Sequence, residues 1–185
     1  MNFHMHLIWP ALLLFSLIPR AQCADSIDSN SISRGPAVPR LLPADDSEIL
    51  VGVHDTDLLE IRAGEMAESK GSSALVRAYG LRLARDHKMI DDSAFRTAYS
   101  LGVLVKAESL SGRPDKLQKL ERASGRNFDL EFMGMMVEGH LQAITMLSKY
   151  YEQQRAGSKM RAFLGRVIPI LKQHLEVAEN LQPWI

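Results

Sequence analysis

This sequence predicts an all-α fold in which four long helices pack as a bundle. Three observations carry the prediction. Four stretches place apolar residues at mixed three- and four-residue steps, the period of a helix with one buried face. No stretch alternates apolar and polar residues as a half-buried strand does. Turn chemistry at Gly71, Gly102, Gly157–Ser158 and Pro183 falls between or after the periodic stretches. Four amphipathic helices bury their stripes together as a four-helix bundle.

The first helix opens near Asp45, where Asp45 followed by Glu48 resembles a capping box. Ile49, Val53, Thr56, Glu60, Ala63 and Ala67 lie along one face, and Gly71 closes the helix as a C-terminal cap. Ser72 or Ser73 can cap the second helix, which carries Val76, Tyr79, Leu83, His87, Ile90, Ala94 and Ala98 and ends near Gly102. Residues 103–126 form a long connector, in which Pro114 to Arg122 can make one short helix with proline in its first turn. The third long helix begins near Asn127 as N-cap, with Asp129 and Glu131 set against the positive end of its dipole. Its stripe is Met133, Met136, Val137, His140, Ile144, Leu147 and Tyr151. The fourth follows the turn at Gly157 and Ser158 and presents Phe163, Val167, Ile170, Leu171, His174, Ala178 and Leu181. Pro169 inside it deletes one backbone donor and should kink it, and Gly165 adds no crowding at that bend. Arg77-Ala78-Tyr79 with Arg82-Leu83 is echoed by Arg161-Ala162-Phe163 with Arg166-Val167, each opening the second helix of a pair. The chain thus reads as two helical hairpins joined by the connector.

The composition narrows the function. Across 185 residues, 22 Lys and Arg balance 22 Asp and Glu, so the basic excess of a nucleic-acid binder is missing. Hydrophobic residues make up 46%, enough for one globular core. The single cysteine, Cys23, excludes an intramolecular disulfide and a cysteine-rich zinc site. Residues 1–24 read as a secretory signal peptide: Leu7 to Ile18 is apolar but broken by Pro10, and Ala21 to Ala24 offers a small-residue exit. The run falls short of the ~20 apolar residues a bilayer span needs. Only His4 and His6, and no Lys or Arg, precede it, and an N-terminal membrane anchor is the competing reading. Arg20 and Gln22 make Cys23 a poor lipidation site, and cleavage beyond it leaves a mature chain without cysteine, suited to an oxidising compartment. Residues 25–44, rich in Ser, Asp, Pro and Arg, read as a flexible linker, and residues 45–182 as the bundle domain. The expected address is the periplasm or cell envelope, with peripheral envelope association.

Polar residues on apolar stripes are the informative feature. Each long helix has one near its middle: Glu60, His87, His140 and His174. At ~1.5 Å per residue, Glu60 lies ~16 Å and His87 ~24 Å from the turn at Gly71, while His140 and His174 each lie ~25 Å from the turn at Gly157. Buried charge is costly unless paired or bound to metal. Three imidazoles and one carboxylate suit one divalent transition metal, Zn, Fe, Mn or Cu. Asp86, Asp91 and Glu138 stand near the histidines in sequence and could hold their rings. The competing reading is that the histidines and Glu60 satisfy one another without metal. Phe132, Met133, Met135 and Met136 read as core filler ahead of a copper(I) site. His54 lies one residue off the stripe and is expected at its border or exposed. Lys70, Arg77, Arg82 and Arg85 read as a solvated face, and Tyr150 and Tyr151 as packing at the bundle end.

The ordered set Asp57-Leu58-Leu59-Glu60-Ile61 with Gly64 and Ala67, Arg85-Asp86-His87, Phe128-Asp129, Val137-Glu138-Gly139-His140, Ile168-Pro169 and His174-Leu175 resembles the bacterial domain-of-unknown-function family 4142. The resemblance spans about residues 45–182. It implies a ferritin-like four-helix bundle in an exported envelope protein, often described as a putative outer-membrane protein. Gly139-His140 stands where the family pattern has Asp-His. Di-iron bundles use Glu three residues before His. Here Ala84, Val137 and Leu171 hold those positions, so a mononuclear site is the most the constellation supports. Three functional classes follow: a metal-binding protein, a structural or stress-related envelope protein with self-paired core residues, and an oxidoreductase with an open metal position. The first two rank ahead of catalysis.

Overall fold

A computed structural model describes residues 46–105, 115–153 and 158–185. The expected signal peptide and linker, Asp45, Pro114 and Gly157 lie outside the described residues. The described chain is helical throughout: α1 (Asp46–Lys70), α2 (Ala74–Leu101), α3 (Asp115–Arg122), α4 (Gly125–Gln153), α5 (Lys159–Leu181) and a closing 3-10 turn (Gln182–Trp184). No strand occurs among the described residues, and no described helix is long and apolar enough to cross a membrane.

The helix ends follow local chemistry. Ser73 caps α2, its hydroxyl accepting from the Leu75 N–H, and Gly102 closes that helix with a φ of 71°. Ser158 caps α5 through the Arg161 N–H at 2.9 Å. Gly71 ends α1, but not as a left-handed cap, since its φ is not positive. Its reason is steric: a Cβ there would lie 2.6 Å from the Ala67 carbonyl oxygen. The start of α4 also differs from expectation. Gly125, with a φ of 56°, begins the helix, and Asn127 is an exposed residue within it rather than the cap. Asp129 does not face its own helix end. Its buried carboxylate accepts from the Ser72 N–H at 2.9 Å, the Ser72 hydroxyl at 2.6 Å and the Ser73 N–H at 2.8 Å, tying the α1–α2 turn to α4. Pro169 and Gly165 both face solvent, so water can reach the carbonyl that loses its helical partner.

α1 lies along α2, and α4 along α5, with further contacts between α2 and α5 and between α1 and α4. α3 packs on α1 and α4 through Leu117 and Leu120. The α1–α2 contact is a backbone contact: a Cβ at Gly64 would meet the Gly80 carbonyl at 2.6 Å, and one at Gly80 would meet Ala67 Cβ at 2.6 Å. The cationic face is less solvated than expected. Lys70 donates to the Leu120 and Glu121 carbonyls at 3.0 and 2.8 Å, closing α3. Arg77 donates to the Gly71 and Ser72 carbonyls at 2.8 and 2.9 Å.

The core comes in two parts. One apolar cluster joins Leu50, Val53, Ile90, Leu147, Phe163 and Val167. The other joins Ala67, Val76, Leu83, Phe128, Met133 and Met136. The methionine patch is therefore packing. Along α1, α2, α4 and α5, buried polar residues stand between the two clusters.

Candidate metal centre

Glu60 from α1, His87 from α2, His140 from α4 and His174 from α5 meet in that polar layer, each no more than 3% exposed. The three imidazole centroids form a near-equilateral triangle with sides of 5.7, 5.2 and 5.3 Å. One nitrogen from each ring lies within 4.8 Å of the others. Glu60 Oε2 stands 2.7 Å from His87 Nε2 and 3.4 Å from His140 Nε2, and His140 Nε2 stands 3.3 Å from His174 Nδ1. All four residues expected from sequence are brought together.

The outward side of each ring is held. His140 Nδ1–H donates to the Met136 carbonyl at 2.9 Å, which leaves Nε2 as a bare lone pair. His174 Nε2–H donates to Asp86 at 3.1 Å, leaving Nδ1 as a lone pair. His87 Nδ1–H donates to Asp57 at 2.6 Å. Asp86 is itself held by Arg82 at 3.3 Å and by Arg85 at 3.1 Å, so these two arginines serve the site rather than a plain solvated face. The Tyr79 hydroxyl donates to the His174 carbonyl at 2.9 Å and pins α5 beside the cluster.

Sequence reasoning found Asp86 and missed Asp57. The missed signal was Asp57 one turn before Glu60. Thr56, placed on the inward stripe, is exposed, and Asp57 takes the buried position. Asp57 and Glu60, one turn apart on α1, both reach His87, at 2.6 and 2.7 Å on its two ring nitrogens. Asp91 and Glu138 do not hold the clustered rings. Asp91 binds His54 at 2.7 Å, and Glu138 is exposed and binds Lys116 at 3.2 Å. His54 is buried rather than exposed, because Asp91 satisfies one nitrogen and Phe95 packs edge-on against the ring at 4.9 Å.

Burial pushes His87 down, but Glu60 and Asp57 outweigh it and raise the ring to about 10. His87 is therefore an imidazolium when no metal is present. Burial lowers His140, against the pull of Glu60. It lowers His174 to about 4, against Asp86. Burial would raise Glu60, but the charge of His87 holds it below the usual range. Asp57 is raised by burial to about 6 despite His87.

These facts fit a cation. His140 Nε2, His174 Nδ1 and Glu60 Oε2 are all electron-pair donors in neutral or anionic groups, and they converge. Glu60 Oε2 and His87 Nε2, although close, lack hydrogen-bond alignment and have no other partner. Four ligands about 2.0–2.1 Å from a tetrahedral ion stand about 3.3 Å from one another. The 3.3 and 3.4 Å separations are close to that spacing, and the 2.7 Å between Glu60 and His87 is shorter than it. The donor set, three imidazoles and a carboxylate, suits Zn, Fe, Mn or Cu. Outer groups on every ring are what metal-bound histidines require.

The family described as "Domain of unknown function (DUF4142)" matches residues 33–181. No curated protein and no solved structure matches the chain.

Proposed function

The chain belongs to the DUF4142 family, and for this member we propose the binding of one divalent transition metal, by Glu60, His87, His140 and His174, within a ferritin-like four-helix bundle exported to the periplasm or cell envelope. One observation carries the metal reading. His140 Nε2 and His174 Nδ1 face each other at 3.3 Å, while the other nitrogen of each ring meets an outward acceptor, the Met136 carbonyl or Asp86; with one proton per ring, placed on that outward nitrogen, two lone pairs face each other. Two facing lone pairs repel, and both rings resist protonation. A metal ion between them removes the repulsion and gives a ligand bond to Glu60 Oε2, which is ion-paired with His87 but makes no hydrogen bond. The bundle arrangement is supported by the pairwise packing of α1 with α2 and α4 with α5 around one polar layer. Export is supported by the signal-like residues 1–24. Bound there, the ion supplies structural cross-linking and, given a free position, Lewis acidity.

A second reading has its own observation. The His87–Asp57 contact of 2.6 Å, with Glu60 beside it, is a charge-paired group that can stand without metal. The chain is then a structural or stress-related envelope protein. The deciding experiment measures metal in untagged protein purified from the periplasm, beside a His140→Ala/His174→Ala double variant. About one metal per chain in the parent and none in the variant supports the first reading. No metal in the parent after incubation with Zn, Fe, Mn and Cu leaves the second.

A further inference from the structure

Three interior glycines of the α1–α2 pair invite comparison. Gly64 and Gly80 are explained by helix contact, since a Cβ at either collides with the other helix. Gly52 is not: a Cβ there meets nothing within 4 Å. Glycine inside a helix costs about 1 kcal/mol relative to alanine, so its presence calls for another account. Gly52 lines a cavity between α1 and α4, and exposed Thr56 and Met146 stand beside it. Val53, Leu147 and Leu171 wall the interior, and Asp57, Glu60 and His87 close the inner end. The cavity therefore runs from the surface to the candidate metal ligands.

Its size and lining select an occupant. The cavity has a volume of about 30 Å³, and one water needs roughly 10–15 Å³. The space holds a molecule of about two heavy atoms. Apolar walls make a charged guest shed its hydration without compensation. The carboxylates of Asp57 and Glu60 at the inner end also repel anions. We propose that this cavity admits a neutral diatomic molecule to a binding position beside the metal, and that the lack of a bulky side chain at Gly52 keeps its mouth open. The proposal rests on the metal reading and makes the centre one that takes a small ligand from solvent, not a sealed structural one.

The test uses the parent protein, Gly52→Ala and Gly52→Leu. The alanine variant reports whether the helix tolerates a side chain there, and the leucine variant covers the mouth. Crystals of the metal-free proteins are pressurised with xenon. Iron(II)-loaded proteins are mixed with nitric oxide and the spectral change is timed. Xenon in the parent and in Gly52→Ala, its loss in Gly52→Leu, and nitric oxide binding at least tenfold slower in Gly52→Leu at equal iron content support the proposal. No xenon in the parent, or an unchanged nitric oxide rate in Gly52→Leu, overturns it. No uptake of iron, zinc, manganese or copper by any of the three proteins overturns the metal reading and this ligand with it. Xenon bound in that case assigns the failure to the metal and not to the cavity.

Discussion

Adding a divalent metal to the metal-free protein should expel a proton, and the structure says how many and from where. His87 is held at about 10 between Glu60 and Asp57. At pH 7 it lies about three units below that value, so nearly every molecule carries the imidazolium. A metal takes only the neutral ring. His140 and His174 are already neutral, and Glu60 is already ionised. Binding should therefore release about one proton per ion. Displacing it at pH 7 costs on the order of 4 kcal/mol. Apparent affinity should rise about tenfold per pH unit, hence about a hundredfold from pH 6 to pH 8. Titration calorimetry with zinc, in buffers of different ionisation enthalpy, counts the protons directly. The same proton stabilises the metal-free fold, because the folded value lies above the unfolded one of about 6.5. That contribution is complete below pH 6.5 and fades as pH rises through 10. Zero protons released, or an affinity flat between pH 6 and 8, would show that His87 is not the charged member of the cluster or not a ligand.

Three further outcomes are expected. Asp57→Asn removes the carboxylate behind His87 and should weaken zinc binding about 10- to 100-fold, measured by competition with a chelator, while far-UV circular dichroism stays unchanged. Gly80→Ala drives a methyl onto Ala67 Cβ and the Gly64 carbonyl, at 2.6 and 2.7 Å; urea unfolding should show a loss of about 1–3 kcal/mol, and no loss would mean that the helices part freely. Asp129→Ala removes the acceptor of the Ser72 and Ser73 N–H groups, which water can partly replace because Ser72 is exposed, and should cost about 1–2 kcal/mol, with amide exchange accelerated first at the α1–α2 turn.

The helices were legible because their stripes are long and their ends are marked by serine and glycine. Ser73, Gly102 and Ser158 act as their local sequence implies. Asn127 and Asp129 misled for one reason: a polar side chain near a helix start is read as serving that start, while Asp129 serves a turn 56 residues away. The four clustered residues were legible because each interrupts an apolar stripe. Asp57 and His54 were not, because sequence does not tell which of two adjacent positions the α2 contact buries. That choice is made by the Gly64–Gly80 approach, which fixes how α1 is rotated against α2. The cavity at Gly52 was illegible altogether, since it is a space between helices and no residue pattern records it.

The divided core has a consequence for alignment. Apolar side chains are poor rulers: a helix slid by one turn still hides leucines and methionines against other leucines and methionines. The polar layer breaks that degeneracy. A slip of one turn in any of the four helices, about 5.4 Å, would carry its histidine or glutamate out of reach of the rest and bury it among hydrocarbons. The layer thus acts as a set of indexing pins, read at mid-length where displacement at either end is felt equally. Replacing all four residues with apolar ones should leave a helical, compact chain whose helices have lost a single lengthwise setting, a defect that methyl NMR would show as several sets of resonances for Leu83 and Leu171.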